Sequence, residues 1–142
     1  MDTSTRALEL AKALKRIERF NRIDQYDPYP YQQKFHETGS EANQRLLMAA
    51  NRIGKSFSGA AEMSYHLTGI YPDWWKGRRY SQPITAWAGG VSNETTRDIV
   101  QYELLGSPDD PDAFGSGAIP KNKIIKTERK PGVPNAKSVA LI

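Results

Sequence analysis

Residues 45–56 read RLLMAANRIGKS. An apolar run, Leu46 to Ala50, enters a polar loop that closes on Gly54-Lys55-Ser56. Bounded in this way, the run predicts a buried parallel strand. The following GKSFSGAAEMSYHLTG predicts a helix that Gly69 stops. Ser58, Gly59, Ala60 and Ala61 are small enough for that helix to lie close to a sheet. Strand, loop and helix in this order are the setting of a Walker A phosphate loop. The helix N-terminus offers an anion unpaired N–H groups and the positive end of its dipole. Gly54 lets the backbone turn tightly and approach phosphates without a Cβ in the way. Lys55 reaches β- and γ-phosphates as a point charge, and the Ser56 hydroxyl is a ligand for Mg²⁺.

Two positions complicate the loop. The glycine that ordinarily opens it is replaced by Ala49, which stays small but makes a left-handed backbone costly there. Arg52 lies three residues before Lys55, close to where terminal phosphates would sit. A cis arginine there stabilises phosphoryl transfer; the bland reading is a solvent-facing loop arginine. A bare Gly-Lys-Ser/Thr arises by chance in about one chain in fifteen of this size, so the flanking elements carry the assignment.

Upstream, residues 3–22 predict an amphipathic helix with Ala7, Leu10, Leu14 and Ile17 on one stripe. Lys12, Lys15, Arg16, Arg19 and Arg22 make its remainder basic, either a solvated face or a contact for nucleic acid or a partner. Pro28 and Pro30 predict an extended, helix-free segment anchored by tyrosines, with a short helix from Gln32 to Glu37. Gln32 carries the paired donor and acceptor that can read an adenine edge, and Tyr31 can stack on a base.

Downstream, YPDWWKGRRY is a loop rich in aromatic and basic residues. Its tryptophans read as pins to the core, and Lys76, Arg78 and Arg79 as either surface charge or phosphate contacts for DNA. PITAWAGGVS predicts a second strand, and a helix capped by Ser92 or Asn93 runs to Gly106. Residues 107–137 read mostly as loop, with KIIK as a short strand, and the final SVALI reads as the opening of another. A chain ending mid-strand suggests a fragment. His36 and His66 have no metal-ligand spacing around them and read as packed or surface residues.

The chain has 142 residues and a net charge of +4, with a pI near 9.3. That charge permits a polyanionic partner without requiring one. Absence of cysteine excludes disulfides and cysteine-ligated metal, and no apolar run is long enough for a membrane span.

Three blocks in order, YPYQQKFHETG (29–39), RLLMAANRIGKSFSGAAEMSYHLTG (45–69) and YPDWWKGRRY (71–80), resemble the ATPase domain of tailed-phage large terminase subunits. These are motors that package viral DNA. The resemblance implies an α/β fold, an incomplete RecA-like P-loop NTPase with a mostly parallel sheet, preceded by an N-terminal helix. Residues 1–28 would form that helix and a linker, and residues 29–142 a partial ATPase domain. It implies that Gln32 recognises adenine and that Tyr31, Asn51, Ile53, Gly54, Lys55, Ser56 and Phe57 contact ATP, with Mg²⁺ on Ser56. Arg52 resembles the family's loop arginine, which many members place one residue earlier, where Asn51 stands.

The family also carries a Walker B carboxylate on an apolar strand, a coupling motif and a C-terminal nuclease. Here the one acidic pair after the loop, Asp109-Asp110, follows Ser-Pro in a loop. The expectation is therefore the ATP-binding N-terminal part of a large terminase, with negligible hydrolysis by itself. The implied partners are double-stranded viral DNA, the portal protein, the small terminase subunit and further copies in a ring on the portal. No membrane is involved, and the implied location is the cytoplasm of the infected bacterium. Two other readings stay open: a helicase-like P-loop translocase, and a non-catalytic DNA- or partner-binding fragment with a vestigial loop.

Overall fold

A computed structural model describes residues 3–142. Met1 and Asp2, the start of the expected 1–28 segment, lie outside the described residues. Helix α1 (Thr3–Phe20) forms as its periodicity predicts but buries none of its residues. Leu10, Leu14 and Ile17 remain exposed. A 3-10 turn, Arg22–Gln25, then drives Ile23 into the core. The basic edge of this region is tied down by Arg19–Asp110 at 3.2 Å and Arg22–Glu103 at 3.1 Å.

Helix α2 (Pro30–Glu37) begins on the proline expected to forbid it. At the first helical position the missing N–H costs nothing and the fixed φ suits the helix. Helix α3 (Lys55–Thr68) is the centre of the structure, ending at Gly69 with φ 69° as expected. Ala60, Ala61 and Tyr65 on α3 pack with Ile23, Trp75 and Ala118, flanked by Tyr26, Phe57, Tyr71, Trp74 and Leu104. The two tryptophans are pins: Trp75 is buried, and its Nε1 donates to Arg78 O at 3.0 Å. Helices α4 (Asn93–Thr95) and α5 (Tyr102–Leu105) are joined by a π-helical segment, Thr96–Gln101. Ser92 Oγ accepts from Thr95 N at 3.1 Å, the cap expected there. Gly106, with φ 103°, closes the run, and a Cβ there would lie 2.1 Å from Ala113 O.

The sheet corrects the expectation. Strands β1 (Lys126–Arg129) and β2 (Lys137–Leu141) form a two-stranded antiparallel sheet, with Lys126 opposite Leu141. A mostly parallel RecA-like sheet is not formed among the described residues. Residues 45–50 keep the two-residue alternation of a strand: Arg45, Leu47 and Ala49 are half-buried, while Leu46 and Met48 are each 80% exposed. They lack a ladder. An extended segment becomes a strand only when a neighbour accepts and donates its backbone hydrogen bonds, and no described segment pairs with this one. The same holds for the expected strand at PITAWAGGVS, where Trp87 is 93% exposed. Ser138 to Leu141 of SVALI do form a strand, but of KIIK (123–126) only Lys126 enters one: Lys123 belongs to a 3-10 turn, and β1 starts three residues later than expected.

Candidate phosphate-binding site

The loop between residues 49 and 55 turns on two left-handed residues, Arg52 (φ 63°) and Gly54 (φ 79°). Ala49 is not among the residues with positive φ. The bend expected at the opening position therefore falls at Arg52, and Ala49 carries no strain. A left-handed arginine costs about 1–3 kcal/mol.

Gly54 is the N-cap of α3 and supplies no side chain to the first turn. The first-turn N–H groups thus lack a side-chain acceptor, which is the condition for holding an anion. Lys55 is half-buried and folds back, its Nζ donating to Ala49 O and Ala50 O. Asn51, Arg52 and Ser56 are exposed around it. Ile53 turns its carbonyl toward α2, where it accepts from the Tyr31 hydroxyl and from Gln32 Nε2, the latter at 3.3 Å.

Gln32 is 2% exposed and its amide is engaged at both ends. Nε2 also donates to Gly54 O at 3.3 Å, and Oε1 accepts from Tyr29 N at 2.9 Å. In this arrangement Gln32 braces the loop. Tyr31 stacks on Tyr29, ring centroids 6.0 Å apart and 9° from parallel, forming an exposed aromatic shelf beside the loop. Phe57 faces the core, under the Arg22 guanidinium at 4.0 Å and edge-on to Tyr26. Lys76 is exposed. Arg78 donates to Asn43 Oδ1 at 3.0 Å, and Arg79 donates to Trp75 O at 3.2 Å and lies over the Tyr71 ring. Asp110 takes the Arg19 ion pair and caps Asp112 N at 2.9 Å. Among the described residues no group of three or more histidines and carboxylates converges as a metal site.

The sequence reading missed the polar cluster beneath the loop. His36 Nδ1 donates to Glu62 Oε2 at 2.7 Å, and Arg45 donates to both Glu62 oxygens. His66 Nε2 approaches the same carboxylate at 3.5 Å. With Nδ1 committed to the carboxylate, Nε2 of a neutral His36 accepts, shared by the Tyr26 and Ser58 hydroxyls at 3.0 and 3.3 Å. Serine, histidine and glutamate thus line up as in a nucleophile relay. Ser58 is 0% exposed, however, so no substrate reaches it. The signal was present as spacing: Ser58, Glu62 and His66 form one i, i+4 stripe, and Gln32 and His36 another.

Burial would raise the Glu62 carboxyl, but hydrogen bonds from His36, His66 and Arg45 and the Arg45 charge hold it far below the ordinary range. A folded-state pKa below the unfolded ~4.3 means stabilisation that is whole above about pH 5 and lost as pH falls further. The urea midpoint of wild type should therefore exceed that of Glu62→Gln at pH 7, with the gap narrowing toward pH 3. A gap independent of pH would contradict this.

The chain is 36% identical, over 143 aligned residues, to the terminase large subunit of Salmonella phage P22. The match covers 90% of this chain and 29% of that protein, so the chain spans under a third of its relative's length. No family model matches the chain. No solved structure matches it either.

Proposed function

From the premise that this chain is a homologue of a terminase large subunit over 90% of its length, we propose that it is the ATP-binding part of a viral DNA-packaging motor. The observation that carries the reading is the loop at the N-terminus of α3: Gly54 left-handed, Lys55 at the first helical position, and no side chain capping the turn. The first-turn amides and Lys55 hold the triphosphate, whose oxygens replace the Ala49 and Ala50 carbonyls on the lysine. The Ser56 hydroxyl ligates Mg²⁺, which neutralises charge on the β- and γ-oxygens. Arg52 reaches the terminal phosphate from its exposed, left-handed position. The Tyr29–Tyr31 shelf supports the base side of the nucleotide, while Gln32 sets the loop's last two carbonyls.

In the complete motor, ATP hydrolysis drives double-stranded DNA into a procapsid through the portal, and a nuclease cuts it. This takes place in the host cytoplasm, with the small subunit as partner and copies arranged in a ring. Lys76, Arg78 and Arg79 face the DNA in that assembly; Lys76 has its charge exposed for it.

Calorimetric titration with Mg·ATP tests the site. Wild type should give saturable binding, and Lys55→Ala should weaken it by roughly a hundredfold, the loss of one charge-assisted anchor on two phosphates. Equal binding by the two forms would overturn the phosphate-site reading.

A further inference from the structure

We propose that Arg45, Glu62 and His36 are positioning residues for the phosphate loop, a buried ion cluster that clamps both of its flanks to α2. The inference rests on the phosphate-site reading and deepens it, by saying what aligns the site.

Asn51, Arg52 and Gly54 are exposed, and Lys55 ties the loop only to its own first carbonyls, Ala49 O and Ala50 O. What joins the loop to the rest of the fold lies at its ends. Arg45 stands at the entry, four residues before Ala49. Its guanidinium grips both oxygens of Glu62 and also donates to Phe35 O at 2.7 Å. It lies over the Phe35 ring at 4.5 Å. Gly39 leaves the space for it, since a Cβ there would stand 2.9 Å from Arg45 Nη1.

Glu62 lies two turns into α3, the helix that leaves the loop. The same carboxylate takes His36 of α2 at 2.7 Å. One turn before His36, on the same buried face, Gln32 holds Ile53 O and Gly54 O, both at 3.3 Å. One carboxylate thus fixes the entry segment, the exit helix and α2, and α2 fixes the loop's last carbonyls.

A buried ion pair contributes little net stability over apolar residues of equal volume, so its best-attested use is to specify one arrangement. The planar fork of arginine, which bridges a carboxylate and a carbonyl at once, suits that use, and a lysine ammonium does not reproduce it.

The test uses the full chain and two mild variants, Arg45→Lys and Gly39→Ala, at a temperature where circular dichroism shows each folded. Amide exchange by NMR is followed in the free protein. The Ser58 amide, bonded to Gly54 O at 2.9 Å, reports the loop end of α3, and the Gly69 amide, bonded to Tyr65 O at 2.9 Å, reports its far end. Exchange at Ser58 should rise at least tenfold in both variants while Gly69 stays within twofold of wild type. Mg·ATP affinity should fall about tenfold. Gly39→Ala changes no charged group and so covers the case in which Arg45→Lys fails to fold. Unchanged Ser58 exchange, or exchange raised equally at both ends, overturns the positioning role. If Ser58 responds as expected but wild type gives no Mg·ATP heat, the positioning stands and the phosphate-site reading fails instead.

Discussion

Glu62→Ala should lower the unfolding free energy by about 3–5 kcal/mol, the typical cost of removing one partner from a buried ion pair. Three cations or hydrogen-bond donors face this carboxylate: Arg45, His36 and His66. Its removal leaves Arg45, half-buried, with its guanidinium pointing at an empty volume and only Phe35 O as a remaining acceptor. His36 keeps the Tyr26 and Ser58 hydroxyls on Nε2 but loses the acceptor for Nδ1. A domain of this size is commonly stable by only about 5–15 kcal/mol, so the variant should lose a large fraction of its stability. Urea unfolding followed by tryptophan emission measures it directly, because Trp75 packs on both histidines. A loss below about 1 kcal/mol would mean that Arg45 swings into water and the cluster relaxes without penalty.

The same cluster shows where sequence reading stops. Gly54, Lys55 and the Gly69 stop were legible because each is decided within a few residues by helix-end chemistry. The Ser92 cap and the Gly106 stop were legible for the same reason. His36 and Glu62, 26 residues apart, were not: nothing local marks them as partners. Arg45 had no role in the sequence reading, although it is the residue that anchors the apolar run.

The run itself failed for a related reason. The alternation of residues 45–50 is correct for a strand, but pairing belongs to two segments at once and cannot be read from one. Pro30 failed differently. Proline stops a helix that arrives at it and starts one that leaves it, and the reading took the first case. Gln32 was singled out for its donor and acceptor. Both are present, but the structure engages them on the loop and on Tyr29 N, a role that depends on where α2 docks.

Gly54→Val should remove Mg·ATP binding from the range calorimetry can detect and should cost about 2–4 kcal/mol of stability, since it adds a left-handed β-branched residue to a steric conflict. Gly54 holds φ 79°, a backbone that a β-branched residue adopts only under strain. Its Cβ would also stand 3.1 Å from Gln32 Nε2, the amide that binds Ile53 O and Gly54 O. The valine side chain would therefore press on the Gln32 amide just where a phosphate must approach the first-turn amides. Lys55→Ala differs in kind: it removes a charge but leaves backbone and α2 in place. Comparing the two separates the lysine's charge from the shape of the loop. Gly54→Val should lose both binding and urea midpoint, while Lys55→Ala should lose binding with a midpoint within about 1 kcal/mol of wild type, as for a solvent-accessible side chain. Gly54→Val binding Mg·ATP as wild type does would show that the nucleotide does not approach this turn.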